Sequence, residues 1–129
     1  MKPTAQELAE VARELASREP IFHRPAFGTT RADMERQIDA AFHEVGASGR
    51  RYSRGDVLDV LEARHRDGVQ EAPLEPSGLR CVHIAGDAYL VTYDLRQGDR
   101  LTRRATIWRR DVNGMWTILY HQGTVATDG

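Results

Sequence analysis

Apolar and polar positions alternate with two different periods along this chain, and the change of period divides it. In the first half the spacing is helical. Thr4-Ala-Gln-Glu7 reads as a capping box, with Leu8, Val11, Ala12 and Leu15 on one stripe behind it and Pro20 as the stop. A second start at Thr30-Arg-Ala-Asp33 leads into Met34, Ile38, Ala41 and Phe42 at helical spacing, and residues 21–27, interrupted by Pro25, suggest one helical turn between the two helices. A third start at Ser53-Arg-Gly-Asp56 carries Val57, Leu58, Leu61 and His65 on one side, and Gly68 ends it. The second half alternates with the period of strands over Leu79–Ile84, Ala88–Arg96, Leu101–Arg110 and Met115–Val125, with turns at Ala-Gly-Asp87, Gln-Gly-Asp99 and Asn113-Gly114. A short hairpin, His43–Ser48 and Arg50–Ser53, falls between the second and third helices. Residues 68–78, with Pro73 and Pro76, read as a loose extended stretch.

Helices gathered at one end of a chain and a meander at the other predict an α+β domain, with the helices covering one face of an antiparallel sheet. A two-residue turn at Asn113-Gly114 sets Thr106 opposite His121 and Trp108 opposite Leu119 on one face. Ile107, Ile118, Tyr120 and Trp116 then fall on the other, and a longer loop swaps the assignment. Large apolar groups on both faces of these strands predict a homodimer through the sheet, because helices cover only one face.

Length and composition narrow the picture. The 129 residues fit one domain over 1–129, and 40% hydrophobic with 29% charged residues fits a globular chain. A net charge of −1 argues against a nucleic-acid binder. No apolar run reaches the ~18–20 residues of a membrane helix, and the polar start Met-Lys-Pro-Thr-Ala-Gln lacks a signal-peptide core, so a cytoplasmic location is expected. Cys81 is the one cysteine and reads as a small core residue, with His83 on the same strand face as the only local group able to activate it. Of the 18 basic residues only Lys2 is lysine, and arginine doublets stand at 50–51, 103–104 and 109–110. A doublet on a strand sends one side chain to each face, so paired surface arginines account for them, with an anion site as the other reading. The five histidines show no metal-ligand spacing, and Gly46-Ala-Ser-Gly49 opens a hairpin and no helix, so neither a metal nor a phosphate-bearing cofactor is expected.

The hairpin with Glu44-Val-Gly-Ala-Ser-Gly49 and Tyr52-Ser-Arg54, followed by a helix and a meander ending Ile107-Trp-Arg-Arg110, Gly114-Met-Trp116 and His121-Gln-Gly-Thr124, resembles the nuclear transport factor 2-like superfamily. Within it the chain looks most like bacterial SnoaL-like and ketosteroid-isomerase-like domains of unknown function. The resemblance implies a cone-shaped curved sheet wrapped around the N-terminal helices, a pocket at the open end and dimerisation through the convex face. It implies no cofactor, and a function as a small-molecule pocket with acid–base chemistry of isomerase, cyclase, dehydratase or hydrolase type, or alternatively as a non-catalytic binding or assembly module. It places a first-strand group near His43-Glu44 and a last-strand group near Tyr120-His121. Glu44 and His121 are the candidate catalytic residues, and Trp108, Tyr93, Arg104 and Tyr52 the candidate ligand contacts. The first helix lacks the tyrosine of the steroid isomerase pattern.

Two readings stand for each catalytic candidate. Glu44, between Phe42 and Val45, is either a base raised toward neutrality by burial or a structural partner of Arg50, Arg51 or Arg104. His121 is either a base with an ordinary pKa of ~6.5 or a structural hydrogen-bonder, with Thr106 opposite it as partner.

Overall fold

The computed structural model describes residues 2–23, 28–68 and 73–127. Its elements run α1 (Ala5–Arg18), a 3-10 turn (Ile21–His23), α2 (Arg31–Gln37), β1 (Ile38–Val45), β2 (Arg51–Ser53), α3 (Arg54–Asp67), β3 (Leu74–Ala85), β4 (Ala88–Gln97), β5 (Arg100–Arg110) and β6 (Trp116–Val125). The strands form one open sheet in the order β2-β1-β6-β5-β4-β3. Helices before a meander give the expected α+β architecture, but the sheet is mixed, because β1 lies parallel to β6. That pairing is non-local and no turn signal reports it.

All three helix starts are capping boxes: Thr4 with Glu7, Thr30 with Asp33 and Ser53 with Asp56 each exchange two hydrogen bonds. Gly68 closes α3 in the left-handed conformation, its N–H donating to the Arg64 carbonyl. The expected turn over 21–27 is a 3-10 turn at Ile21–His23, and residues 24–27 lie outside the described residues.

The second helix is shorter than its spacing predicts. It ends at Gln37, and Ile38 and Phe42, four apart, are buried from a strand. The same interval fits a helix turn or a strand with a register irregularity, and one occurs between Ile38 and His43. Arg54, at the start of α3, fixes the change. Its guanidinium donates to the carbonyls of Glu35, Ile38 and Asp39 at 3.0–3.3 Å, which gives carbonyls at the helix end the partners that end needs.

Strand β3 begins five residues earlier than expected. Pro76 is tolerated because β3 is an edge strand, and Gly78, at φ 65°, stands where the register shifts between Ser77 and Arg80.

The β5–β6 connection is a five-residue loop, with Arg110 opposite Trp116. Asp111 Oδ1 accepts from the N–H groups of Asn113 and Met115. A bulge at Leu119 then restores the expected register, so Thr106 does face His121, but Trp108 faces Ile118. Trp116 and Ile118 consequently turn inward and are buried, contrary to the two-residue-turn reading.

Two inward rows set the character of the core. Tyr89, Trp108, Ile118 and Ile38 stand abreast across β4, β5, β6 and β1, all buried. The next row runs Cys81, Val91, Thr106, His121, Glu44 and Tyr52, turning from apolar to polar toward β1 and β2. Cys81 packs half-buried against the core, its thiol pushed up by burial, while His83 turns its Nε2 to the Gly86 carbonyl at 2.9 Å.

Candidate functional site

The polar end of that second row opens into a cavity of about 480 Å³. Glu44 and His121 rise from its floor on β1 and β6, Arg104 from β5 and Tyr52 from β2. One wall is α3, which presents Val57, Val60, Leu61 and Arg64 at helical spacing. Phe22 and His23 close another side, while Gln97 and Arg100 mark the β4–β5 end and Gly46, Ala47 and Ser48 the hairpin.

A chain of hydrogen bonds on three strands holds the floor. The Thr102 hydroxyl donates to the Leu95 carbonyl (3.4 Å) and accepts from Arg104 Nε (2.9 Å). Arg104 NH1 lies 3.3 Å from His121 Nε2, and His121 Nδ1 lies 2.9 Å from Thr106 Oγ1. A guanidinium only donates, so Nε2 accepts and the imidazole proton sits on Nδ1, donating to Thr106. Burial, reinforced by Arg104 and His23, lowers the His121 pKa to about 3. His121 is therefore neutral at physiological pH with its basic nitrogen already occupied. The structural reading of this histidine holds, and a role as general base does not fit its position. Phe22 packs edge-on against both His121 and Phe42, at centroid distances of 6.2 and 6.1 Å.

Glu44 differs. Its carboxyl lines the cavity and makes no hydrogen bond or ion pair among the described residues. Burial raises its pKa, opposed by the fields of Arg104 and Arg64. A half-buried carboxyl lifted from its ordinary range and facing a cavity has the attributes of a proton-transfer group.

Trp108 and Tyr93, expected at a ligand, lie elsewhere. Trp108 is fully buried, and its indole N–H donates to Glu19 Oε2 at 2.9 Å; the Tyr93 hydroxyl donates to Glu19 Oε1 at 3.1 Å. Glu19, just past α1, is itself buried, so the two polar aromatics anchor the helix end to the sheet and line no part of the cavity. The sequence offers Trp108 and Tyr93 as candidate ligand contacts but does not show what meets them, and Glu19 before Pro20 looks like an ordinary helix terminus.

Arg64, Arg100 and Phe22 escaped the sequence reading. The one available signal was Arg64, an arginine continuing the otherwise apolar stripe Val57, Val60, Leu61. The two arginine doublets that lie within β5 do split between faces. Arg103 is outside, paired with Asp94 at 3.7 Å, while Arg104 is inside; Arg109 pairs with Asp39 at 2.6 Å, while Arg110 lies over the Trp116 ring at 4.8 Å. Among the described residues no three His, Cys, Asp or Glu side chains converge as a metal site requires, and no helix is long and apolar enough to cross a membrane.

No family model and no curated protein matches this chain. Solved structures do match over its whole length. A candidate Ca/calmodulin-dependent kinase II association domain from Exiguobacterium sibiricum is 17% identical with TM-score 0.67, covering 100% of this chain and 99% of the other. A candidate ketosteroid isomerase from Parabacteroides distasonis is 12% identical with TM-score 0.67 (99% and 96%). An NTF2-like protein of unknown function from Pseudomonas putida is 17% identical with TM-score 0.66 (98% and 92%). These neighbours are named for different functions, or described as of unknown function, on the same scaffold, so they speak for architecture alone. The chain has the nuclear transport factor 2-like fold.

Proposed function

We propose that this protein binds a small organic molecule in the β1–α3 cavity and performs cofactor-independent proton transfer on it through Glu44. The observation that carries this reading is Glu44 itself, a carboxyl without a protein partner among the described residues, raised in pKa by burial and facing about 480 Å³ of space. A cavity of that size suits a compact molecule. Tyr52, Val57, Val60 and Leu61 offer it an apolar and aromatic surface. Arg104 and His121 form a fixed polar floor, with His121 acting as a positioning residue for Arg104 and not as a second base.

The test is a thermal-shift screen against small metabolites, followed by NMR detection of hydrogen–deuterium exchange at a carbon of each hit. One well-placed acid–base group contributes ~10²–10⁴-fold. Glu44→Gln should lose exchange by that order while still binding the hit. Exchange that survives in the variant overturns the catalytic reading. Binding without exchange in wild type supports the alternative, a non-catalytic binding module. That alternative draws on the locked state of His121, which leaves Glu44 without a second titrating partner on the floor.

A homodimer through the sheet belongs to the same proposal. Val82, Leu90, Ile107, Tyr120 and His43 stand abreast on the face away from the helices, with Val82 46% exposed and Ile84, two residues along, 50% exposed. Such a row is wet in the monomer and buried by a second copy. Sedimentation should show a dimer at micromolar concentration, and monomer alone refutes this part.

A further inference from the structure

We infer that the molecule this cavity takes is a compact organic carboxylate, its carboxyl group held by Arg104 at the floor and its apolar body lying against α3. This rests on the small-molecule reading of the cavity and adds the class of ligand.

The first support is charge. Arg64, Arg100 and Arg104 line the cavity, and Glu44 is the only acid among its described lining residues. His121 adds no positive charge, being held neutral. Arg100 and Arg104 beside one carboxyl whose ionisation is disfavoured give the described lining a positive surplus without counting Arg64, and a ligand of opposite charge relieves it. Arg100 and Arg104 sit close enough for each to feel the other's charge, and Glu44 feels both Arg64 and Arg104, so the groups surround one volume.

The second support is geometry. Arg104 is fixed by two bonds, Nε to Thr102 and NH1 to His121. Its NH2 group makes no hydrogen bond among the described residues, so NH2 and the second NH1 proton remain as two adjacent donors. That pair is the edge of a guanidinium that grips a carboxylate with two parallel bonds. Gly123 stands opposite Arg104 on β6, and a Cβ there would come within 3.3 Å of the guanidinium carbon, so the strand leaves room for the group to lie flat against it. A rigid, preoriented arginine at the bottom of a half-apolar cavity spends little entropy on binding.

The third support is the opposite wall. Val57, Val60 and Leu61 accept an apolar body and offer no hydrogen bond. A bare inorganic anion leaves that wall unused.

The test is calorimetric titration of the full chain with straight-chain and aromatic monocarboxylates of four to ten carbons, each beside its primary amide, and with inorganic phosphate. At least one acid should bind more than tenfold tighter than its amide, and phosphate should bind weakly. Arg104→Met should lower acid affinity at least tenfold and leave amide affinity within about twofold. Because Arg104→Met also strips a partner from His121, Arg100→Gln at the exposed rim serves as the second variant, with a several-fold loss for acids and none for amides. Acids and amides binding equally, or both variants binding acids as wild type does, overturns the carboxylate assignment while leaving the cavity as a binding site. Phosphate binding tighter than every acid overturns it in favour of an inorganic anion site. If neither series binds, the carboxylate assignment falls, and the metabolite screen alone then decides the small-molecule reading.

Discussion

His121 offers the sharpest test of the site's physics, because its neutral state is a statement about stability. Buried among Arg104, Thr106 and Phe22, its imidazole has a pKa lowered to about 3 by burial first and then by Arg104 and His23. In the unfolded chain it titrates near 6.5. Its contribution is therefore complete above pH 6.5 and is lost progressively as pH falls toward 3, since only the unfolded state takes up the proton in that window. The slope is about 1.4 kcal/mol per pH unit, so between pH 7.5 and pH 5 this one residue removes about 2 kcal/mol of folding stability. In His121→Gln the group is gone, and the variant carries only a constant offset from the lost packing and hydrogen bonds. Urea unfolding of both proteins at several pH values between 5 and 7.5 gives the difference directly. The gap between wild type and variant should narrow by about 2 kcal/mol as pH falls to 5. A pH-independent gap would refute the reasoning and mean that His121 titrates as it does in water. Taking the difference matters, because Glu44, its pKa raised by burial, acts with the opposite sign.

Glu44 has a pKa raised above its ordinary 4.5, so its contribution is present below that value and is lost as pH rises through the raised one; Glu44→Gln should accordingly gain on wild type in stability between pH 4 and pH 8. A loss of about 1–3 kcal/mol at pH 8 would instead identify a structural ion pair with arginine. Trp108→Phe removes the buried indole N–H from Glu19 and should cost about 1.5–3 kcal/mol for that bond in chemical denaturation. Tyr93→Phe acts on the same carboxylate, so the double variant should lose less than the sum, and strict additivity would contradict the shared anchor. Gly123→Ala should press its new methyl, 3.3 Å from the guanidinium carbon, on Arg104 and so shift the His121 imidazole ¹⁵N signals; an unchanged spectrum would show that Arg104 had not moved.

What the sequence determined by itself is what short-range chemistry dictates. Three capping boxes and a left-handed Gly68 mark where helices begin and α3 stops, because those signals are satisfied within a few residues. Alternation fixes that Arg103 and Arg104 take opposite faces of β5, and the fold then turns Arg104 inward. Thr106 meets His121 as a two-residue turn predicts, but only because the bulge at Leu119 offsets the longer loop. The tertiary structure decided the rest. Whether Ile38 and Phe42 belong to a helix or a strand depended on Arg54, sixteen residues beyond Ile38, reaching back to its carbonyl. The side taken by Trp116 and Ile118 depended on a bulge at Leu119, where one extra residue reverses every position beyond it. Glu44 became a cavity carboxyl only through the parallel pairing of β1 with β6, a contact between segments about 77 residues apart for which no local signal exists. Trp108 and Tyr93 had the chemistry of ligand contacts, and the fold gave them Glu19 instead. Residue type shows what a side chain is able to do, but its partner is set by the non-local packing that brings distant segments together.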